Sequence, residues 1–131
     1  MSVEILQGDA LGVLRTLPAQ SVHTCVTSPP YFGLRDYGMA GQIGLENTPD
    51  AFVARLVEVF REMRRVLRDD GTLWLNLGDS YRDKQRLLIP ARAALALQSD
   101  GWILRDEIIW HKPRTTPAPV KDRTCLLYTS D

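Results

Sequence analysis

The sequence is poor in the residues that staple or metallate a small domain. Its 131 residues hold two cysteines, Cys25 and Cys125, and two histidines, His23 and His111. Two thiols so far apart make no disulfide framework and fit a reducing, cytoplasmic setting. Isolated histidines without ligand spacing around them predict no metal. No apolar run is long enough to cross a bilayer, and the first residues lack a signal-peptide core. Excess charge of one sign is missing too: 16 Lys and Arg stand against 16 Asp and Glu, so net charge points to no polyanionic partner. Nor is there a dinucleotide fingerprint. Gly38, Gly41 and Gly44 are spaced G-x-x-G-x-x-G, and no strand leads into them. What remains, 44% hydrophobic and 24% charged, is the composition of a soluble globular protein of one domain or a piece of one.

The most informative stretch is Thr27-Ser28-Pro29-Pro30-Tyr31, which follows the alternating run Val22-His23-Thr24-Cys25-Val26. A β-branched run closed by two prolines reads as a strand whose ladder is cut off. Neither proline donates a backbone hydrogen bond, and the residue before each is pushed out of the helical region. The corner is therefore stiff. It holds the Ser28 hydroxyl, the Ser28 and Pro29 carbonyls and the Tyr31 ring in fixed relation. One reading is a rigid turn and nothing more. The other is methylation of an exocyclic amine on a flat ring, whose nitrogen lone pair is delocalised and weakly nucleophilic. Bonds from its N–H groups to the Ser28 oxygen and the Pro29 carbonyl would draw the nitrogen toward tetrahedral geometry, while Tyr31 stacks on the ring.

Around this corner the chain reads as alternating strands and helices. Residues 3–6 form a strand candidate ending at Gly8-Asp9, and a short helix over 10–17 follows, stopped by Pro18. With the strand of residues 22–27 this makes a βαβ unit. Asp9 caps that helix, and at the carboxyl end of a parallel strand it also stands where a nucleotide cofactor is met. Residues 32–48 form a long glycine-dotted loop, read as a flexible lid, where Arg35 and Tyr37 either touch a phosphate or base or are simply solvated. Thr48 caps, and Pro49 begins, a helix ended by Asp69-Asp70-Gly71. Its stripe of Phe52, Leu56, Phe60, Met63 and Leu67 is core, and Arg61, Arg64, Arg65 and Arg68 either form a solvated face or touch nucleic acid. Residues 72–77 suit a central parallel strand covered on both faces, ending in the polar cluster Gly78-Asp79-Ser80-Tyr81. A charged connection over 82–88, a helix from Pro90 to Ser99 and a strand region over 102–110 complete the order. Trp74, Trp102 and Trp110 are expected in the core rather than as base-stacking platforms. From His111 onward Lys112, Arg114, Lys121 and Arg123 make a basic, proline-rich segment, either a phosphate-contacting arm or an extended connector.

The order of elements, together with Gly8-Asp9, Thr27 to Tyr31, Leu75 to Tyr81 and Ile108-Ile109-Trp110-His111-Lys112-Pro113, resembles the site-specific DNA amino-methyltransferases. These act on N4 of cytosine or N6 of adenine, and the permuted bacterial and phage branch fits best. The resemblance spans residues 1 to about 124. It implies an α/β fold, here an incomplete doubly wound, Rossmann-like sheet, with S-adenosylmethionine as methyl donor and double-stranded DNA as partner, its target base flipped out. The catalytic tetrad falls on Ser28, Pro29, Pro30 and Tyr31, and the cofactor's adenine contact on Asp9. A serine at the first tetrad position looks more like the cytosine enzymes. Cys25 is not expected to be a nucleophile, since methylating an amine needs no covalent adduct.

Two departures set further expectations. The family's phenylalanine-glycine-x-glycine loop, which grips the methionine end of the cofactor, is not found in this chain. The last seven residues, Cys125 to Asp131, read like an in-frame translation of a sequencing adapter. The chain is thus expected to be the front part, residues 1–124, of a longer methyltransferase with a non-native tail at 125–131, binding the cofactor weakly or not at all by itself. Two rivals stay beside this reading: an amino-methyltransferase acting on RNA or a protein glutamine, and a non-catalytic nucleic-acid-binding module.

Overall fold

A computed structural model describes residues 2–113; the expectations placed on Arg114, Lys121, Arg123 and Cys125 lie outside these residues. In chain order the elements are α1 (Ala10–Thr16), β1 (Val22–Thr27), α2 (Pro49–Val66), β2 (Leu67–Leu75), β3 (Tyr81–Arg82), β4 (Gln85–Arg86) and α3 (Ile89–Ser99). β1 and β2 pair in parallel, with Thr24 opposite Thr72, Val26 opposite Trp74 and Thr27 opposite Leu75. β3 and β4 make an antiparallel hairpin.

Local signals set the helix ends. Asp9 caps α1 by accepting from Gly12 N at 3.0 Å, and Thr48 Oγ1 caps α2 by accepting from Ala51 N at 3.1 Å, each relieving an orphan amide of the first turn. Pro49 opens α2, where its missing N–H is not needed. α3 closes in a Schellman turn: Gly101, at φ 99°, donates to Gln98 O, and Trp102 N donates to Leu97 O, both at 3.0 Å.

The apolar stripe of α2 builds the core. Phe52, Leu56 and Phe60 are buried with Ile89, Ala93 and Leu97 of α3 and with Phe32 of the long loop. Leu73, Leu75 and Leu77 pack against this cluster from the strand side. Phe32 and Phe52 meet with ring centroids 5.6 Å apart at 51°, a tilted arrangement that favours an aromatic pair.

Several expectations are corrected. Residues 3–6 form no strand and lie exposed; residues 102–110 form none either and are exposed from Ile103 onward. A strand exists only through a ladder partner, and neither segment finds one among the described residues. The βαβ unit is therefore β1–α2–β2. α2 stops at Val66, one turn before Asp69-Asp70-Gly71, because Leu67 is buried and pairs with Val22, while Ser21 N donates to Val66 O at 2.9 Å. The register then jumps between Val22 and Thr24, and the excess of β2 is taken up in a bulge holding Gly71. β2 is covered on one face only: Trp74 is 54% and its partner Val26 78% exposed. Of the three tryptophans only Trp102 packs against the core, since Trp110 is 71% exposed. The residues expected as a charged connection at 82–88 include the β3–β4 hairpin, turned by Asp83 and Lys84 at φ 50° and 65°.

The arginines of α2 do not simply face water. Arg65 donates to Leu14 O at 2.9 Å and Leu17 O at 3.1 Å, tying down the end of α1. Arg61 pairs with the Asp100 carboxylate and Arg64 donates to its carbonyl, tying down the end of α3. Arg68, which the structure puts in β2, pairs with Asp70 at 2.9 Å. Among the described residues no helix is long and apolar enough to cross a membrane, and no group of three or more His, Cys, Asp or Glu is placed to hold a metal.

Candidate active site

The corner falls at the carboxyl end of β1. Asn76 N donates to Thr27 O at 2.9 Å, so pairing with β2 persists to the last residue before Ser28 and then stops. Here open α/β sheets bind ligands, because the strands end and the chain is free to diverge. Ser28, Pro29, Pro30 and Tyr31 line a cavity of about 250 Å³, together with Leu34, Arg35 and Tyr37 of the long loop. That is somewhat below the range of roughly 300–1,000 Å³ typical of drug-sized pockets, the scale of one flat heterocycle. Among the described residues nothing bonds the Ser28 hydroxyl or the Pro29 carbonyl. Two unspent acceptors and an aromatic residue are thus among those that line the cavity.

The loop over this cavity is cross-braced. Gly33 N donates to Gly44 O at 2.7 Å, Tyr37 N to Gln42 Oε1 at 2.7 Å, and Gln42 Nε2 to Arg35 O at 2.9 Å. Arg55 of α2 donates to Gly41 O at 3.1 Å, and Arg82 of β3 to Asn47 O at 3.0 Å. Arg82 also lies 5.1 Å above the Phe32 ring, close enough for cation–π attraction. Gly44 sits against the corner itself: a Cβ there would lie 3.1 Å from Tyr31 O and 3.2 Å from Pro30 Cβ. The loop presents Arg35 and Tyr37 to the cavity through these backbone ties.

Behind the corner the end of β2 supplies a second fixed point. The Asp79 carboxylate accepts from Ser80 N at 2.9 Å, Ile89 N at 2.9 Å, Leu88 N at 3.1 Å and Arg86 Nε at 2.7 Å. Burial alone would raise its pKa, but these backbone donors and the Arg86 guanidinium outweigh it and hold the carboxyl below its ordinary value. Asp79 also caps α3 from a distance, since Leu88 at the N-cap is left-handed and gives no side-chain cap.

The other expected site residues are more dispersed. Asp9 lies exposed and outside the cavity; with Oδ2 spent on Gly12 N, its second oxygen stays open to a nucleoside hydroxyl or amine. The chemistry of Asp9 fits a cofactor contact, without an enclosing pocket. Lys112 is exposed in irregular chain. Burial pushes the Cys25 thiol up, which keeps it protonated and a poor nucleophile. Sequence reasoning assigned no role to Leu34, Gly78 or Asp79. Only the strand-end placement of Gly78-Asp79-Ser80-Tyr81 marked the last two.

Comparison with known proteins shows the family and the fold. The family model described as DNA methylase matches residues 22–128. The Type II methyltransferase M.XycI of Xanthomonas campestris pv. cyanopsidis is 48% identical over 91% of this chain and 49% of its own length. A crystal structure of a candidate DNA modification methylase from Thermus thermophilus, complexed with S-adenosyl-L-methionine, superposes with a TM-score of 0.64 at 35% identity, covering 87% of this chain and 48% of that one. The cytosine-N4-specific PvuII DNA methyltransferase shares the fold at 21% identity and a TM-score of 0.56. The chain thus spans about half the length of M.XycI and of the Thermus protein. The α/β class holds, its sheet among the described residues being one parallel pair beside a hairpin.

Proposed function

The chain belongs to the DNA methylase family, and on that premise we propose that the enzyme it is part of methylates an exocyclic amine of a DNA base, N4 of cytosine before N6 of adenine. S-adenosylmethionine, bound in the crystal structure of the Thermus relative, supplies the methyl group, and Asp9 is the residue assigned to its nucleoside. The observation that carries the reading is the cavity beside Ser28, Pro29, Pro30 and Tyr31 with two unspent acceptors on its wall. An amine entering it would donate one N–H to the Ser28 hydroxyl oxygen and one to the Pro29 carbonyl. Those bonds strengthen as the nitrogen pyramidalises and gains positive charge, so they act more on the transition state than on the ground state. Tyr31 would stack on the flipped ring.

The serine at the head of the tetrad supports cytosine over adenine. Double-stranded DNA is the proposed partner, with Arg35 at the cavity and Lys112, Arg114, Lys121 and Arg123 along the basic segment as phosphate contacts. We place the enzyme in the cytoplasm, beside the DNA it modifies. The family segment is proposed to end at residue 124, with 125–131 as a non-native tail, although the family match runs to residue 128. The genomic reading frame tests this: native codons continuing as Cys125 to Asp131 would refute it.

The function is tested by methyl transfer from labelled S-adenosylmethionine to duplex DNA, RNA and protein by the full-length enzyme. DNA alone is expected to accept the label, in acid-stable N4-methylcytosine. Ser28→Ala or Tyr31→Ala is expected to abolish turnover while most duplex affinity remains. Normal turnover in either variant would reject the assigned roles.

A further inference from the structure

We propose that Gly78 is a positioning residue for the reaction: its bare backbone is the surface on which the Tyr31 ring lies. The inference rests on the methyl-transfer reading above and adds to it what sets the plane of the stacking ring.

The β1–β2 register brings the two segments together. Because Thr27 pairs with Leu75 and accepts from Asn76 N, the residues after each strand end run side by side. A Cβ built on Gly78 would stand 2.6 Å from Tyr31 Cε2, 2.8 Å from Cδ2 and 3.3 Å from Cζ. No side chain, however small, fits between that backbone and the ring as placed. The requirement comes from the ring and not from the backbone, since Gly78 is absent from the glycines with positive φ. An alanine there is conformationally free but must push the ring aside.

The surface beneath the ring is itself held. Of the four donors on the Asp79 carboxylate, Ser80 N is its own neighbour, Arg86 Nε comes from the hairpin, and Leu88 N and Ile89 N come from the start of α3. The residue next to Gly78 is thus pinned to two further elements. On the other flank Gly44 lies against the Pro30 and Tyr31 backbone. With the backbone gripped on one side and the ring seated on the other, an added methyl group at position 78 has one compliant neighbour, the Tyr31 side chain. It moves about 1 Å to restore contact distance, and a misplacement of about that size lowers rates by roughly 100-fold.

The test uses the full-length enzyme and a duplex carrying 2-aminopurine at the target position, whose emission reports stacking. Gly78→Ala is expected to lower kcat between 10- and 100-fold and to change the 2-aminopurine emission, with Tm and the Kd for S-adenosylmethionine unchanged. In a Tyr31→Ala background the same substitution is expected to leave the emission where Tyr31→Ala alone puts it, because there is no ring to displace. Should Gly78→Ala lower Tm, the ring is responsible if Tyr31→Ala restores it, and a Tm that stays low in the double variant overturns the proposal. Wild-type kcat and emission in Gly78→Ala, in an enzyme that does methylate DNA, would overturn this inference alone. Absence of methyl transfer by the wild-type enzyme would instead bring down the functional reading and this inference with it.

Discussion

At Asp79 one carboxylate answers four donors, three of them backbone amides and one a guanidinium. An amide side chain offers one acceptor oxygen and turns an N–H group toward donors, so Asp79→Asn leaves partly buried N–H groups unpaired. The expected loss is about 1–3 kcal/mol at neutral pH. The pH dependence follows from the direction of the shift. A carboxyl held below its ordinary value when folded stabilises the fold above its unfolded pKa, and that stability is lost as pH falls through the folded value. Urea unfolding of both forms is expected to give a wide gap at pH 7 that narrows from about pH 4 downward, and a pH-independent gap would refute the assignment. Little of this was legible in the sequence, because the partners at 86, 88 and 89 are joined to Asp79 only by the folding of the hairpin. The corner was legible, because two consecutive prolines act on their own neighbours whatever the rest of the chain does.

Helices were read better than strands for the same reason. Thr48, Pro49 and the spacing of Phe52, Leu56 and Phe60 are signals within one segment, and α2 begins where they place it. Replacing the capping hydroxyl with Thr48→Ala is expected to destabilise by about 1 kcal/mol in thermal unfolding, with no change in the α2 boundaries. Phe52→Ala, emptying the centre of the core, is expected to remove about 3–5 kcal/mol in the same measurement. Strands need partners at a distance, and the apolar runs at 3–6 and 102–110 find none among the described residues. The hairpin escaped notice because Asp83 and Lys84 occupy left-handed positions that glycine or asparagine more often marks. The end of α2 was misjudged because the pairing of Leu67 with Val22 overrides the local stop signal.

Over the whole molecule, the α/β class and the place of the proline corner at a strand end were legible because motif order and spacing survive in a chain that spans about half the length of its relatives. The cover of the sheet was not. A continuous apolar run implies burial on both faces only when both layers are present, and Val26 and Trp74 lie open on one. The span of the chain, about half that of its relatives, bears on the cofactor. Asp9 lies outside the cavity that the corner lines, and titration calorimetry on residues 1–131 alone is expected to give weak or no heat with S-adenosylmethionine. Tight binding would mean that these residues suffice for the cofactor site.

The arginine ties of α2 have a dynamic consequence. Arg65 latches the end of α1, and Arg61 and Arg64 latch the end of α3, all from a single stretch of helix. Neither neighbour can swing away without that stretch letting go, so the three helices should open to solvent as one unit. In native-state hydrogen exchange, Thr48→Ala would then accelerate the slowest amides of α1, α2 and α3 by one common factor, roughly fivefold for a loss of about 1 kcal/mol. Separate factors for the three would mean that the latches are ornamental.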